Sequence, residues 1–296
     1  MRNRGRLALL GVVALAGLAV LAVRMFVTMD EGIDRLLAET ATEPRYVPPS
    51  SEAVAVAEGL FVRLMHGEWD DAIERGFADL GFDVGRLWVG LERLTVVREA
   101  PGRGEGRGVY LLRDGAARPA VALQAPHRPS DLDTDVLVAR LMAEHPFAAA
   151  GWNTVHRRAA DLAHLERTYF NAFTRAFARV HRRGRVVQFH GFDPDSRESG
   201  QGAGAEIVVS AGTRRPTRLH RDVRECLGET LASRVRLFPD EVGELGATTN
   251  ANAAALRAMG FRRFIHLEMI RAVRRDLIAD RQHRRYLAAC LLEGKA

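Results

Sequence analysis

Val121–Asp131 reads VALQAPHRPSD. Its opening apolar run stops at Pro126-His127. It is too short for a helix and has the length of a strand buried on both faces. Val186–Phe189 (VVQF, then His190-Gly191-Phe192-Asp193) repeats the form, as do Ile207–Ser210 and Phe264–Leu267 (FIHL, then Glu268). Between these runs the apolar spacing becomes helical, over Asp135–His145, Leu162–His181, Arg218–Ser233, Asn250–Met259 and Ile270–Leu292. Further out, Leu94–Glu99 and Val109–Arg113 flank the glycine-rich stretch Gly102–Gly108 as a hairpin. Trp152–Val155 and Val235–Phe238 read as further strands, and residues 52–66 and Asp70–Leu80 as helices. This alternation predicts an α/β fold: a mixed, largely parallel sheet with helices on both faces. We take residues 52–296 as one such domain.

The 296 residues carry 43 basic and 37 acidic side chains, a formal charge of +6. Lys295 is the only lysine, so all but one of the cations are arginines, spread from Arg2 to Arg285. So uniform a replacement reads as coding bias rather than a phosphate-binding surface, and nucleic acid is not an expected partner. The N-terminus is different. Arg2, Arg4 and Arg6 precede an uninterrupted apolar run, Leu7–Val23, closed by Arg24. As a helix it would reach roughly 25 Å, close to the bilayer core of about 30 Å. Residues 1–27 therefore read as a signal anchor or signal peptide. Residues 28–51, with Pro44, Pro48 and Pro49, read as a stalk. The expected location is single-pass in the cytoplasmic membrane with the body outside the cytoplasm, or exported if the anchor is cleaved. There Cys226 and Cys290 either pair or remain separate buried thiols.

In sheets of this kind ligands bind beyond the carboxyl ends of the strands. Those ends carry His127, Arg128 and Asp131, then His190, then Glu268. Two imidazoles and a carboxylate are zinc ligands that leave one position open, and a further carboxylate suits a general base. His127, Asp131 and His190 are the candidate metal ligands and Glu268 the candidate catalytic base. Singly, each also reads as a hydrogen-bonded strand-end residue or a salt-bridge partner. WNTVHRRAADLAH (152–164) adds His156, Arg157, Asp161 and His164 as candidates for binding substrate or for hydrogen-bonding a ligating histidine. Arg214 is a further candidate for an anionic substrate. Asn250 and Asn252 suit a helix cap. Gly200–Gly204 lacks the residues of a phosphate-binding loop and reads as a flexible segment beside the crevice. No G-x-S-x-G elbow is present.

The segments APHRPSDLDTD, VVQFHGF, FIHLEM and WNTVHRRAADLAH resemble the N-formylglutamate amidohydrolase group and, more distantly, the zinc-dependent carboxypeptidases. The resemblance covers roughly residues 94–277. It implies a zinc-exopeptidase or phosphorylase/hydrolase-like fold, with His127, Asp131 and His190 on zinc and Glu268 as base. It differs from the carboxypeptidases in placing Asp131 four residues after His127, where they have Glu three residues on. It differs from the amidohydrolases in reading Asp161-Leu162-Ala163-His164 where they have Asp-Leu-Asn-Arg. The expected activity is zinc-dependent cleavage of an amide in a small acylated amino acid or peptide in the cell envelope. The alternative is a non-catalytic, membrane-anchored envelope protein that keeps the fold.

Overall fold

The computed structural model describes residues 32–40, 45–90, 92–114 and 119–293. The expected membrane helix, residues 1–27, lies outside them. Among the described residues no helix is long and apolar enough to cross a membrane. A short helix, α1 (32–39), leads to α2 (Ser51–Met65) and α3 (Asp71–Asp79). The strands are β1 (Phe82–Val89), β2 (Glu92–Glu99), β3 (Val109–Arg113), β4 (Val121–Ala125), β5 (Ala149–Trp152), β6 (Arg185–Phe192), β7 (Ile207–Ser210), β8 (Val235–Leu237) and β9 (Phe264–Ile270). The remaining helices are α4 (Thr134–Glu144), α5 (Tyr169–Val180), α6 (Gly200–Ala203), α7 (Arg218–Thr230), α8 (Ala251–Ala258), α9 (Arg271–Ala279) and α10 (Arg281–Leu292).

The described strands form one sheet in the order β1-β2-β3-β5-β4-β6-β9-β7-β8. Its centre, β5-β4-β6-β9, is parallel; β1, β2 and β3 join antiparallel on one side, and β7 runs antiparallel to β9 on the other. The expected layers are present, but the sheet is only half parallel, because the hairpin strands and the β7–β9 pair add four antiparallel pairings to the four parallel ones. Along β4, β6 and β9 the side chains alternate between two cores. Leu123, Val187, Phe189, Ile265 and Leu267 pack with residues of α4, α7, α9 and α10. Ala122, Val186 and Phe264 pack with α2, α3, α5 and α8. The second core is built on edge-to-face aromatic contacts, with Phe61 within 5.3 Å of the ring centroids of Phe77, Tyr110 and Phe173.

Several elements depart from the sequence expectation. β1 was not anticipated: it is an edge strand buried only at its ends, with Asp83, Gly85 and Arg86 interrupting any apolar alternation. β5 lies three residues earlier than Trp152–Val155, over Ala-Ala-Gly-Trp. Gly151 packs closely there, because a Cβ on it would stand 3.1 Å from Tyr110 and 3.4 Å from Phe173. The helix expected over Leu162–His181 starts only at Tyr169, where the Thr168 hydroxyl caps it by accepting from Asn171 N–H. Residues 162–168 are instead irregular, with one turn closed by His164 N–H to Asp161 C=O. Ile270–Leu292 is two helices broken at Asp280, whose carboxylate caps the second. Gly200–Gly204 forms one capped helical turn rather than an irregular loop. Cys226 and Cys290 are joined, their Cα atoms 5.6 Å apart, tying α7 to α10.

Candidate metal centre

Parallel pairing of β6 and β9 sets Gln188 beside His266 and His190 beside Glu268. Side chains two apart share a face, so these four residues rise together on the α5/α8 side of the sheet. His127 lies two residues beyond β4. There the backbone turns, Asp131 N–H donating to His127 C=O at 2.9 Å, and brings the Asp131 carboxylate back to the imidazole.

Three acceptor atoms meet at this point. His127 Nδ1 is 3.0 Å from Asp131 Oδ2 and 3.0 Å from His190 Nδ1, and His190 Nδ1 is 3.3 Å from Asp131 Oδ2. Bonds behind each ring determine which nitrogen faces inward. His127 Nε2 donates to Asp161 Oδ1 at 2.8 Å. For His190 the order follows from a buried chain of polar groups. The Thr174 hydroxyl donates to Phe170 C=O and accepts from Gln124 Nε2; Gln124 Oε1 accepts from Gln188 Nε2. Gln188 Oε1 accepts from Asn250 Nδ2 at 2.7 Å, which leaves it as the acceptor for His190 Nε2–H at 3.2 Å. Both rings thus present Nδ1 to the carboxylate. Three mutually facing lone pairs need a shared proton or a cation. Ligand atoms around a tetrahedral zinc stand about 3.3–3.6 Å apart, given bonds of roughly 2.0–2.2 Å. The triangle, with sides of 3.0, 3.0 and 3.3 Å, needs to open by only a few tenths of an ångström to reach that size.

The donor set fits zinc. A second group of possible donors, His190, His266 and Glu268, adjoins the first and shares His190 with it. No protein-family model matches the chain, and no curated protein matches it. Among solved structures it is similar to an aminopeptidase from Legionella pneumophila (TM-score 0.43, 10% identity, covering 93% of this chain and 75% of that one). It is also similar to the succinylglutamate desuccinylase from Chromobacterium violaceum (TM-score 0.42, 14% identity, 80% and 74% covered). A third similar structure is an aspartoacylase family protein from Mesorhizobium loti (TM-score 0.38, 13% identity, 73% and 69% covered).

Glu268 stands over the triangle. Burial first, and then the negative charge of Asp131, push its carboxyl up to about 8. Its Oε2 is buried and makes no hydrogen bond among the described residues. His266 is 3% exposed, stacks on His190 with ring centroids 4.4 Å apart, and holds Nε2 3.7 Å from Glu268 Oε1. Burial and the neighbouring imidazoles hold His266 well below its ordinary value, so it is neutral. Burial likewise lowers His190 to about 4. For His127, burial opposes the charged form, but hydrogen bonds to Asp131 and Asp161 outweigh it and raise the ring. Asp131 is also desolvated, yet bonds from His127 and His190 hold it well below the usual carboxylate range. These shifts belong to a chain in which a proton, rather than a metal, bridges the donors.

A cavity of about 250 Å³ opens above these groups. Arg157, His164 and the segment 245–249 line it. Arg157 Nη2 lies 3.1 Å from Asp161 Oδ2 and Nη1 3.9 Å from Asp131 Oδ1. His164 Nδ1 pairs with Thr249 C=O at 3.1 Å. In that segment Leu245 and Ala247 hold φ of 63° and 51° around Gly246. At Gly246 a Cβ would come within 2.4 Å of the Phe238 ring.

The other candidates lie elsewhere. Arg128 turns away from the cavity: Nε meets Asp135 Oδ2 at 2.6 Å, and its terminal nitrogens donate to Leu37 and Thr40 carbonyls. It fastens α1 to the body and does not line the cavity. Arg214 sits over the Phe238 ring at 5.6 Å and lines a different cleft. His156 bonds Arg158 N–H and lies 3.4 Å from Ser130 Oγ, outside the cavity lining. Asn250 caps α8 as expected and also anchors the chain of amides. His266, Gln124 and Gln188 were not singled out from the sequence.

Proposed function

We propose that this chain is a zinc-dependent hydrolase that cleaves an amide bond in an acylated amino acid or short peptide. The observation that carries the reading is the triangle of inward-facing donors with the unpaired Glu268 Oε2 beside it. His127 Nδ1, His190 Nδ1 and Asp131 Oδ2 would hold the ion. Asp161 and the Gln188 chain keep both rings in the tautomer that can do so. Zinc supplies Lewis acidity there, polarising a carbonyl and making water acidic towards about pH 7. Glu268 Oε2 accepts the proton as the water oxygen bonds to the carbonyl carbon. It returns that proton to the nitrogen as the carbon–nitrogen bond breaks. Its high proton affinity in the metal-free protein suits a group that must both take and give. Arg157, a flat two-pronged donor on the cavity wall, is placed to bind a substrate carboxylate.

The apolar run Leu7–Val23 behind three arginines supports tethering to a membrane, with the body in an oxidising space where the Cys226–Cys290 bridge persists. The decisive experiment measures zinc content and hydrolysis of a panel of N-acyl amino acids and dipeptides by the wild type and by Glu268→Gln. The expected result is about one zinc in both proteins and a loss of at least about 100-fold in kcat in the variant. Zinc binding without hydrolysis would leave the non-catalytic envelope protein as the better account, and equal activity in both proteins would remove Glu268 as the base.

A further inference from the structure

On α7, Arg218 pairs with Asp222 at 3.6 Å, Arg221 with Asp240 at 3.4 Å and Arg224 with Glu241 at 2.6 Å. Immediately beside them a cleft of about 450 Å³ breaks that pattern. It lies where β7 ends and β9 begins, at the opposite end of β9 from Glu268, and is bordered by the last turn of α8. Arg214, Arg215, Arg257 and Arg262 line it, and no acidic residue does. Among the described residues none of the four has a carboxylate partner. By contrast, the cleft beside α1 sets Arg35, Arg86 and Arg98 against Glu39, Glu74 and Asp83.

Two of these side chains are already held. Arg257 Nη1 donates to Gly212 C=O at 2.9 Å, and the Arg214 guanidinium rests on Phe238. Fixing them beforehand lowers the ordering cost that a ligand must overcome. Between the cations the wall is apolar, formed by Phe261 and Phe264. Guanidinium groups select phosphate and carboxylate oxygens by paired hydrogen bonds. Four of them around an aromatic wall, in a cavity of small-molecule size, match an anion with several charges and a flat apolar body.

We propose that this cleft binds a small phosphorylated compound of that kind, of nucleoside diphosphate type, separately from the metal centre. Calorimetric titration of the full chain with ADP, adenosine and inorganic pyrophosphate at physiological salt tests this. ADP binds with a Kd below about 1 mM, pyrophosphate binds more weakly, and adenosine does not bind. The double variant R214A/R262A, both positions being exposed, keeps the wild-type circular dichroism and weakens ADP binding at least about tenfold. Arg75→Ala, at an exposed position of α3, leaves ADP binding unchanged. His190→Ala also leaves it unchanged, which separates the cleft from the metal centre. Failure of ADP to bind below about 1 mM overturns the proposal. So does equal affinity in R214A/R262A, or loss of binding in His190→Ala.

Discussion

Replacing Gln188 by Leu tests the chain of buried amides without touching a proposed ligand. Gln188 is fully buried and makes three bonds: Nε2 to Gln124 Oε1, and Oε1 from both Asn250 Nδ2 and His190 Nε2. Leucine has similar bulk and cannot make any of them. Three groups then lose their partner inside the protein, each costing about 1–3 kcal/mol. The lower bound, about 3 kcal/mol in all, corresponds to a fall in Tm of about 5 °C for a chain of this size. The effect on the metal is separate. Without the Gln188 acceptor, His190 no longer has its proton fixed on Nε2, and Nδ1 is free only part of the time. Loss of such support typically weakens metal binding about 10- to 100-fold. Thermal unfolding of the metal-free protein reads the first quantity. Competition with a chromophoric zinc chelator reads the second. A variant with wild-type zinc affinity, however destabilised, would refute the tautomer argument. It would mean that the triangle does not depend on what stands behind His190.

Other expectations follow from the same geometry. Asp161→Asn removes the charge that holds His127 Nε2–H, and weakens zinc about tenfold with little change in Tm, read by the same competition. Either His127→Ala or His190→Ala reduces bound zinc from one per chain to a trace, read by elemental analysis after dialysis. Glu268, raised to about 8, holds a proton in the folded metal-free state that an unfolded glutamate (about 4.3) has already released. The part of the metal-free protein's stability that Glu268 contributes is therefore complete below about pH 4 and falls as pH rises from there to about 8, and Glu268→Gln loses that part of the slope in denaturant titrations. The Cys226–Cys290 bridge closes a separation of 64 residues, so the double serine variant is about 4 kcal/mol less stable. A Tm unchanged by the double replacement would contradict that.

Some of this centre is written locally in the chain and some is not. His127, His190 and Glu268 are legible because each follows an apolar run that can only be a buried strand, and strand ends face the crevice. His266 sits inside such a run and passes for core. Its role emerges only when β6 and β9 are aligned, so that Val186-Gln188-His190 and Phe264-His266-Glu268 share a face. Gln124 and Gln188 are hidden in the same way, because a single polar residue barely alters the reading of a five-residue strand. Arg128 misleads by adjacency: in a tight turn successive side chains diverge, so a neighbour of a ligand points elsewhere. The late start of α5 reflects tertiary demand. Asp161 has to reach His127, and the segment that carries it bends to allow this. No periodicity records that need.

His190, His266 and Glu268 ride on hydrogen-bonded strands in mid-sheet, whereas the cavity walls come from connecting segments, 153–168 and 245–249. Asp161 apart, since it orients His127, a mutation in those segments can reshape what enters while the strand-borne groups stay in place. Selection could therefore retune this molecule's diet by editing its loops while leaving its chemistry as an inheritance, and near relatives should differ most in the residues that surround the cavity's mouth.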